Sequence, residues 1–336
     1  MAVEPFSGYG DAATNCTDSV TECQEGTAEY YGFIYVHTSL TIVGTMLNAL
    51  NLVIFTKGRK RFRSWGSLYV FLVSLSVTDL SIMIVTSPIG VALCLAPSEQ
   101  SSIRNVYLAY VYLPIANFFA TVSVWITTFM TLERYVSVKY VAFRKKFVGR
   151  HAKYTVLVMV VCAALLNVPY YFVQYIDTTS GDLVYTTFVQ SSSFYVYIWI
   201  RSLLAKYVPI LLIATGNILM LGAIIRTKWR RKTLVSSLST CQNNVRARAE
   251  IKCVSMLVCV SVTFLVCHSL EPIVRPYVIV SIREDDLCVL VTSAYRVLAM
   301  FVTVLETWSY ASNFIFYFMC NTTIRIALYD ILTCRI

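Results

Sequence analysis

Seven long apolar runs alternate with short polar stretches along the chain. They cover about Tyr31 to Thr56, Leu68 to Leu95, Val106 to Val138, Lys153 to Val173, Tyr195 to Ile225, Ile251 to Val280 and Cys288 to Met319. A helix of about 20 residues crosses a hydrocarbon core of about 30 Å, and each run reaches that length. None shows the strict alternation of a barrel strand, and helices are the other way to satisfy every backbone polar group in lipid. The pattern predicts an all-α, seven-transmembrane helix bundle. After the seventh run, Thr322 to Leu332 sets Ile324, Ile326, Ala327, Leu328, Ile331 and Leu332 against Arg325 and Asp330, which predicts a short amphipathic eighth helix on the membrane surface. The expected division is a leading segment 1–30, the bundle 31–320, and the amphipathic helix with a short tail 321–336.

The polar connections orient the bundle. Lys57, Arg59, Lys60, Arg61 and Arg63 follow the first run, Arg144 to Lys153 the third, and Arg226 to Lys232 with Arg246, Arg248 and Lys252 the fifth. The intervening connections carry Glu99, Asp177, Asp182, Glu284, Asp285 and Asp286. Lysine and arginine in short loops stay cytoplasmic, so the N-terminus is expected outside and the C-terminus inside. The first thirty residues hold acids and no lysine or arginine, with Asn15-Cys16-Thr17 as a glycosylation acceptor. They lack a basic start and apolar core, so the first span is expected to serve as the targeting signal.

Composition agrees, at 57% hydrophobic and 14% charged residues. The net charge of +10 comes from the loop clusters, so it marks topology and not a nucleic-acid surface. Of eleven cysteines, Cys162, Cys253, Cys259 and Cys267 lie within apolar runs as small hydrophobes, while Cys16, Cys23, Cys94 and Cys288 fall on the side where disulfides form. Cys334 in the tail is a candidate for lipidation.

Charges within the spans are the candidate chemistry, because they are costly in lipid unless paired, wetted or neutralised. His268, Glu271 and Arg275 share one face of the sixth run at i, i+3 and i+7. Glu306 in the seventh run and Arg201 and Lys206 in the fifth occupy the outer halves of their spans. Together these six predict a wet polar ligand pocket open to the outside, with Glu271 and Glu306 as an anionic floor having little else to neutralise them. Internal pairing that serves only stability, such as Glu271 with Arg275, is the alternative. His268 alone is as readily a packed helix residue, and no metal is expected from it.

With the spans in place, several residues match marker positions. These are Gly44, Asn48 and Asn51 in the first run, Leu75 and Asp79 in the second, Ser123, Trp125 and Glu133-Arg134-Tyr135 in the third, Pro209 in the fifth, Phe264 and Cys267 in the sixth, and Ser309, Asn313 and Tyr317 in the seventh. In order and spacing the chain resembles the rhodopsin-like (class A) G-protein-coupled receptors, and Gly44 to Phe55, Pro114 to Tyr135 and Ser312 to Tyr317 look like invertebrate neuropeptide receptors related to FMRFamide receptors. The resemblance implies a plasma-membrane receptor with no enzymatic activity. It implies a coupling switch of Glu133, Arg134, Tyr135, Asn313 and Tyr317, joined by Glu250 fourteen residues before Phe264. It further implies that Asp79 faces Ser123, Ser309 and Asn313, oxygen donors suited to a sodium ion as allosteric ligand; a protonated Asp79 bonded to Asn48 and Asn313 is the alternative. No other cofactor is expected. The implied partners are a heterotrimeric G protein, arrestin, membrane lipid and an extracellular ligand.

Two ligand classes lack their anchors. The aspartate that binds biogenic amines would stand eighteen residues before Arg134, where the chain has Ala116, and the retinal lysine six before Asn313, where it has Thr307. A peptide remains, steered by the acidic leading segment. The chain also departs from the pattern. Asn313-Phe-Ile-Phe-Tyr317 has no proline, Cys267-His268-Ser269-Leu270 replaces the usual Cys-Trp-x-Pro with Pro272 two residues late, Asn217 stands where tyrosine is common, and Ala109 stands near the usual cysteine. Cys94 and Cys288 are left to pair with each other or with Cys16 or Cys23. A transporter or channel is the competing function, weakened by the lack of internal repeats. An enzyme is weaker still, since His37, His151 and His268 lie in separate segments.

Overall fold

The computed structural model describes residues 26–62, 65–94, 101–139, 149–177, 183–234, 241–274 and 293–333; Asn15, Arg275, Cys334 and the side chain of Glu250 lie outside the described parts. Among the described residues, six helices are each long and apolar enough to cross a membrane: α1 (Ala28–Lys57), α2 (Ser67–Cys94), α3 (Ile103–Lys139), α4 (His151–Phe172), α5 (Ser192–Ala223) and α6 (Val254–Val274). A seventh, α7 (Ser293–Cys320), turns through 96° into α8 (Thr322–Leu332). Its 28 residues extend roughly 42 Å, enough to cross unaided. Helix α5 runs on to Leu234, and α6 is preceded by helix from Cys241. Between α4 and α5 the antiparallel hairpin of β1 (Gln174–Ile176) and β2 (Leu183–Tyr185) pairs Tyr175 with Val184.

Two irregularities are set by prolines. Pro272 has no N–H, and its ring crowds the carbonyl four residues back, that of His268. The regular helix accordingly stops at His268 and restarts for one turn at Glu271. Ahead of Pro209 in α5, Leu203–Tyr207 forms a π-turn, an over-wide turn of the kind often found at functional sites. Tyr207 Oη donates to the Pro272 carbonyl at 2.7 Å, so the two irregular turns brace each other. Without a proline after Asn313, α7 runs unbroken.

The larger core lies at the Arg134 end. Phe55, Phe62, Leu72, Ile126, Met130, Tyr317 and Ile324 are buried together there, which joins α1, α2, α3, α7 and α8. Helix α1 approaches α7 closely because Gly44 has no side chain; a Cβ there would stand 2.9 Å from that of Ala311. Asn48 donates to the Tyr310 carbonyl at 3.1 Å across the same seam. The bend into α8 is fixed by Asn321, whose side chain accepts from the Thr323 N–H at 2.9 Å as an N-cap, and Arg61 holds Asp330 at 2.7 Å. At the opposite end Arg296 of α7 pairs with Glu29 of α1 at 2.6 Å, and Cys94 is disulfide-bonded. Its candidate partners Cys16, Cys23 and Cys288 lie outside the described residues.

Candidate functional site

Four ionisable side chains that the sequence places on three helices meet in the half of the bundle toward Cys94. Lys206 comes from the π-turn of α5, His268 and Glu271 from the two sides of the α6 break, and Glu306 from α7. All are buried, at 4%, 0%, 2% and 9% exposure in that order. Lys206 forms an ion pair with Glu271 and stands 3.4 Å from Glu306 Oε1. His268 Nδ1 lies 3.5 Å from Glu306 Oε1 and 4.0 Å from Glu271 Oε2. The imidazole stacks on Phe264 with centroids 4.1 Å apart, meets Tyr310 edge-on at 5.4 Å, and places Nε2 3.2 Å from Ser309 Oγ.

This corrects the expected anionic floor, because Lys206 neutralises part of it. Within these four side chains, two carboxylates share one ammonium. Burial makes each of these charges expensive unless it is paired. The alternative pairing of Glu271 with Arg275 falls outside the described residues.

Arg201 does not join this cluster. Its Nη2 donates to Asn117 Oδ1 at 2.7 Å and its Nε to Asn167 Oδ1 at 3.2 Å, while the guanidinium lies 4.6 Å over the Tyr170 ring. The arginine thus clamps α3 and α4 to α5, a task suited to its fixed fork of donors. Asn117 and Asn167 escaped the sequence reading. Their signal is an asparagine inside an apolar run, which needs a partner in lipid as a charge does.

One level deeper, Asp79 of α2 is fully buried and accepts from Ser123 Oγ at 2.7 Å and from Asn313 Nδ2 at 2.6 Å. Two of the three expected neighbours are therefore in place, and Ser309 is turned to His268 instead. Asn48 bonds to the Gly44 and Tyr310 carbonyls and not to Asp79. Nearby on the same helices, the Asn51 amide and the Tyr317 hydroxyl are buried with no protein hydrogen-bond partner, the environment in which ordered water is held.

At the far end, Glu133 receives Arg134 on both carboxylate oxygens, at 2.9 to 3.1 Å, and also accepts from Ser67 Oγ at 2.5 Å. Their side chains are 7% and 17% exposed for Glu133 and Arg134, so this pair is largely dry. Tyr135 Oη accepts from Lys139 at 2.9 Å. Asn217 accepts from Ser261 Oγ at 2.8 Å and so links α5 to α6 where tyrosine is usual. On the outer flank an apolar groove of about 840 Å³ lies between α3, α4 and α5, lined by Trp125, Phe129, Tyr154, Val158, Cys162 and Leu204.

Residues 47–310 match the family described as 7 transmembrane receptor (rhodopsin family). The chain is 22% identical over 307 residues to a probable G-protein coupled receptor of Caenorhabditis elegans, an alignment covering 87% of this chain and 67% of that protein. It is 32% identical over 149 residues to an FMRFamide peptide receptor of the same worm, covering 43% of this chain and 34% of that one.

Proposed function

The chain belongs to the rhodopsin family of seven-transmembrane receptors, and from that premise we propose that it answers a neuropeptide bearing a basic group, received by Glu271 and Glu306. It is a G-protein-coupled receptor and a multi-pass protein of the plasma membrane, not an enzyme, and the family takes the place of the transporter or channel reading. The observation that carries the ligand proposal is the buried cluster itself, in which two carboxylates from α6 and α7 meet at a lysine of α5, a place where an incoming ammonium or guanidinium can exchange with Lys206. The similarity to an FMRFamide peptide receptor supports the choice of a peptide.

The orientation proposed has the Cys94 end outside and the Arg134 end at the G protein. The basic clusters at the Arg134 end support it, as does the disulfide at Cys94, which belongs to an oxidising compartment. In the same reading Asn15 is glycosylated outside, Cys334 lipidated inside, the cytoplasmic face receives arrestin, and the groove beside α4 holds lipid chains. For sodium, the Asp79 carboxylate and Ser123 Oγ fit a hard cation, and Asn313, whose Nδ2 donates to Asp79 here, offers its oxygen once the amide is turned over.

A screen of amidated peptides on cells expressing the chain with a promiscuous G protein tests the reading. Agonists are expected among peptides with arginine or lysine. Glu271→Gln and Glu306→Gln should each weaken agonist potency about tenfold, and unchanged dose-response curves at normal surface expression would remove the carboxylates from the ligand site.

A further inference from the structure

We infer that His268, Glu271 and Glu306 form a site for one divalent transition-metal ion of the zinc class, with Lys206 as the cation that competes for it. One donor atom from each of the three residues lies within 4.8 Å of the other two, and all three side chains are buried. Zinc with bonds of about 2.0–2.2 Å holds neighbouring ligand atoms roughly 3.3–3.6 Å apart. The separations of 3.5 and 4.0 Å from His268 Nδ1 to the carboxylates are already close to that spacing. Closing the remainder requires Lys206, which pairs with Glu271, to move aside.

The imidazole itself points to a ligand. His268 is fully buried, and its Nδ1, aimed at both carboxylates, has no hydrogen-bond partner among the described residues. When Nε2 carries the ring proton and gives it to Ser309 Oγ, Nδ1 turns a lone pair toward two anions, which only a cation between them makes favourable. A second nitrogen held by an outer hydroxyl is also how metal-bound histidines are oriented. Stacking on Phe264 keeps the ring in that plane.

The donor set selects the metal. One imidazole with two carboxylates suits zinc and its neighbours in the first transition row, whereas magnesium and calcium prefer oxygen alone. Two carboxylates and a divalent ion are together neutral, which offsets the ion pair given up when Lys206 moves aside. Three protein ligands leave the fourth zinc position to water or to a group of the receptor's ligand. The inference rests on these four side chains and not on the peptide reading; should both hold, bound metal and a basic ligand compete for the same carboxylates.

The test uses the full chain purified in lipid nanodiscs, stripped with chelator and free of any peptide. Zinc binding is measured by equilibrium dialysis and, separately, cobalt binding by its visible absorption. One ion per receptor is expected at micromolar free zinc, with cobalt giving the intense bands of a four-coordinate site. His268→Phe, which keeps the stacked ring, and Glu306→Gln, which keeps size, should each weaken binding on the order of tenfold or more; either variant suffices if the other does not fold. Lys206→Gln should tighten it by a similar factor. No bound ion in the wild type, binding indifferent to His268→Phe and Glu306→Gln, or weaker binding in Lys206→Gln overturns the assignment. Because no peptide is present, loss of the metal site leaves the ligand reading to its own experiment.

Discussion

Ser309 Oγ lies 3.2 Å from His268 Nε2, and this contact turns it away from the Asp79 carboxylate. One helical turn further along α7, Asn313 does reach Asp79, at 2.6 Å. The ion cluster and the Asp79 site are thus joined through a single turn of one helix. His268 therefore touches the turn that carries Asn313 through Ser309.

That geometry separates the residues of the proposed sodium site by effect. Ser309→Ala should leave the sodium dependence of agonist binding intact, whereas Asp79→Asn and Ser123→Ala should abolish it. Agonist affinity compared in sodium and in a bulky organic cation gives the answer. A Ser309→Ala receptor that no longer responds to sodium would place Ser309 back at the Asp79 carboxylate.

Lys206 offers a test of charge balance. Lys206→Met takes the ammonium away from two buried carboxylates, and breaking a buried pair in this way costs about 3–5 kcal/mol. Removing one charge as well, in Lys206→Met with Glu306→Gln, should restore part of that loss. Thermal unfolding of the purified receptors measures both, and the pair is independent only if the two changes simply add.

The helices were legible because lipid imposes length and apolarity on each span, and α8 because its apolar positions repeat at helical spacing up to Leu332. Glu133, Arg134 and Asp79 were legible as markers of position. Pairings were not, because they depend on how each helix is rotated about its axis. The π-turn ahead of Pro209 adds one residue to its turn, which rotates what precedes it by roughly 100° relative to a regular helix. Spacing alone could not bring Lys206 onto Glu271, nor separate Arg201 from it. Glu271 stays within 4.0 Å of His268, as i, i+3 spacing predicts, although Pro272 puts a break between them. Ser67 was missed for a simpler reason: a serine at a helix start carries no signal of its partner on another helix.

The bend at Asn321 predicts a local stability effect. Asn321→Ala removes the acceptor for the Thr323 N–H and should cost about 1 kcal/mol. Arg61→Ala breaks only an exposed pair, with Arg61 40% and Asp330 22% exposed, and should cost less than about 1 kcal/mol. Thermal unfolding ranks the two, and an Arg61→Ala receptor less stable than Asn321→Ala would show that α8 is held by its charges and not by its cap.

The last prediction concerns the hold on Arg134. Glu133 takes the guanidinium on both oxygens while Ser67, at the start of α2, donates to the same carboxylate, so α2 and α3 are tied at the face proposed to meet the G protein. A receptor that opens must give up pairing that favours the closed arrangement, and weakening it shifts the population toward the open one before any ligand binds. Glu133→Gln should therefore raise basal signalling per surface receptor at least twofold, a shift of about 0.4 kcal/mol. Ser67→Ala should raise it less, since Arg134 keeps both oxygens. Glu250, fourteen residues before Phe264 on the helix leading into α6, is expected to supply a second carboxylate from across the bundle, so Glu250→Ala should also raise basal activity. Arg134→Ala should lose G-protein coupling yet bind ligand normally, because its contacts and the ion cluster lie at opposite ends of the bundle. Basal activity of Glu133→Gln and Glu250→Ala at or below wild type would mean that Arg134 is held for stability alone and that the switch lies elsewhere.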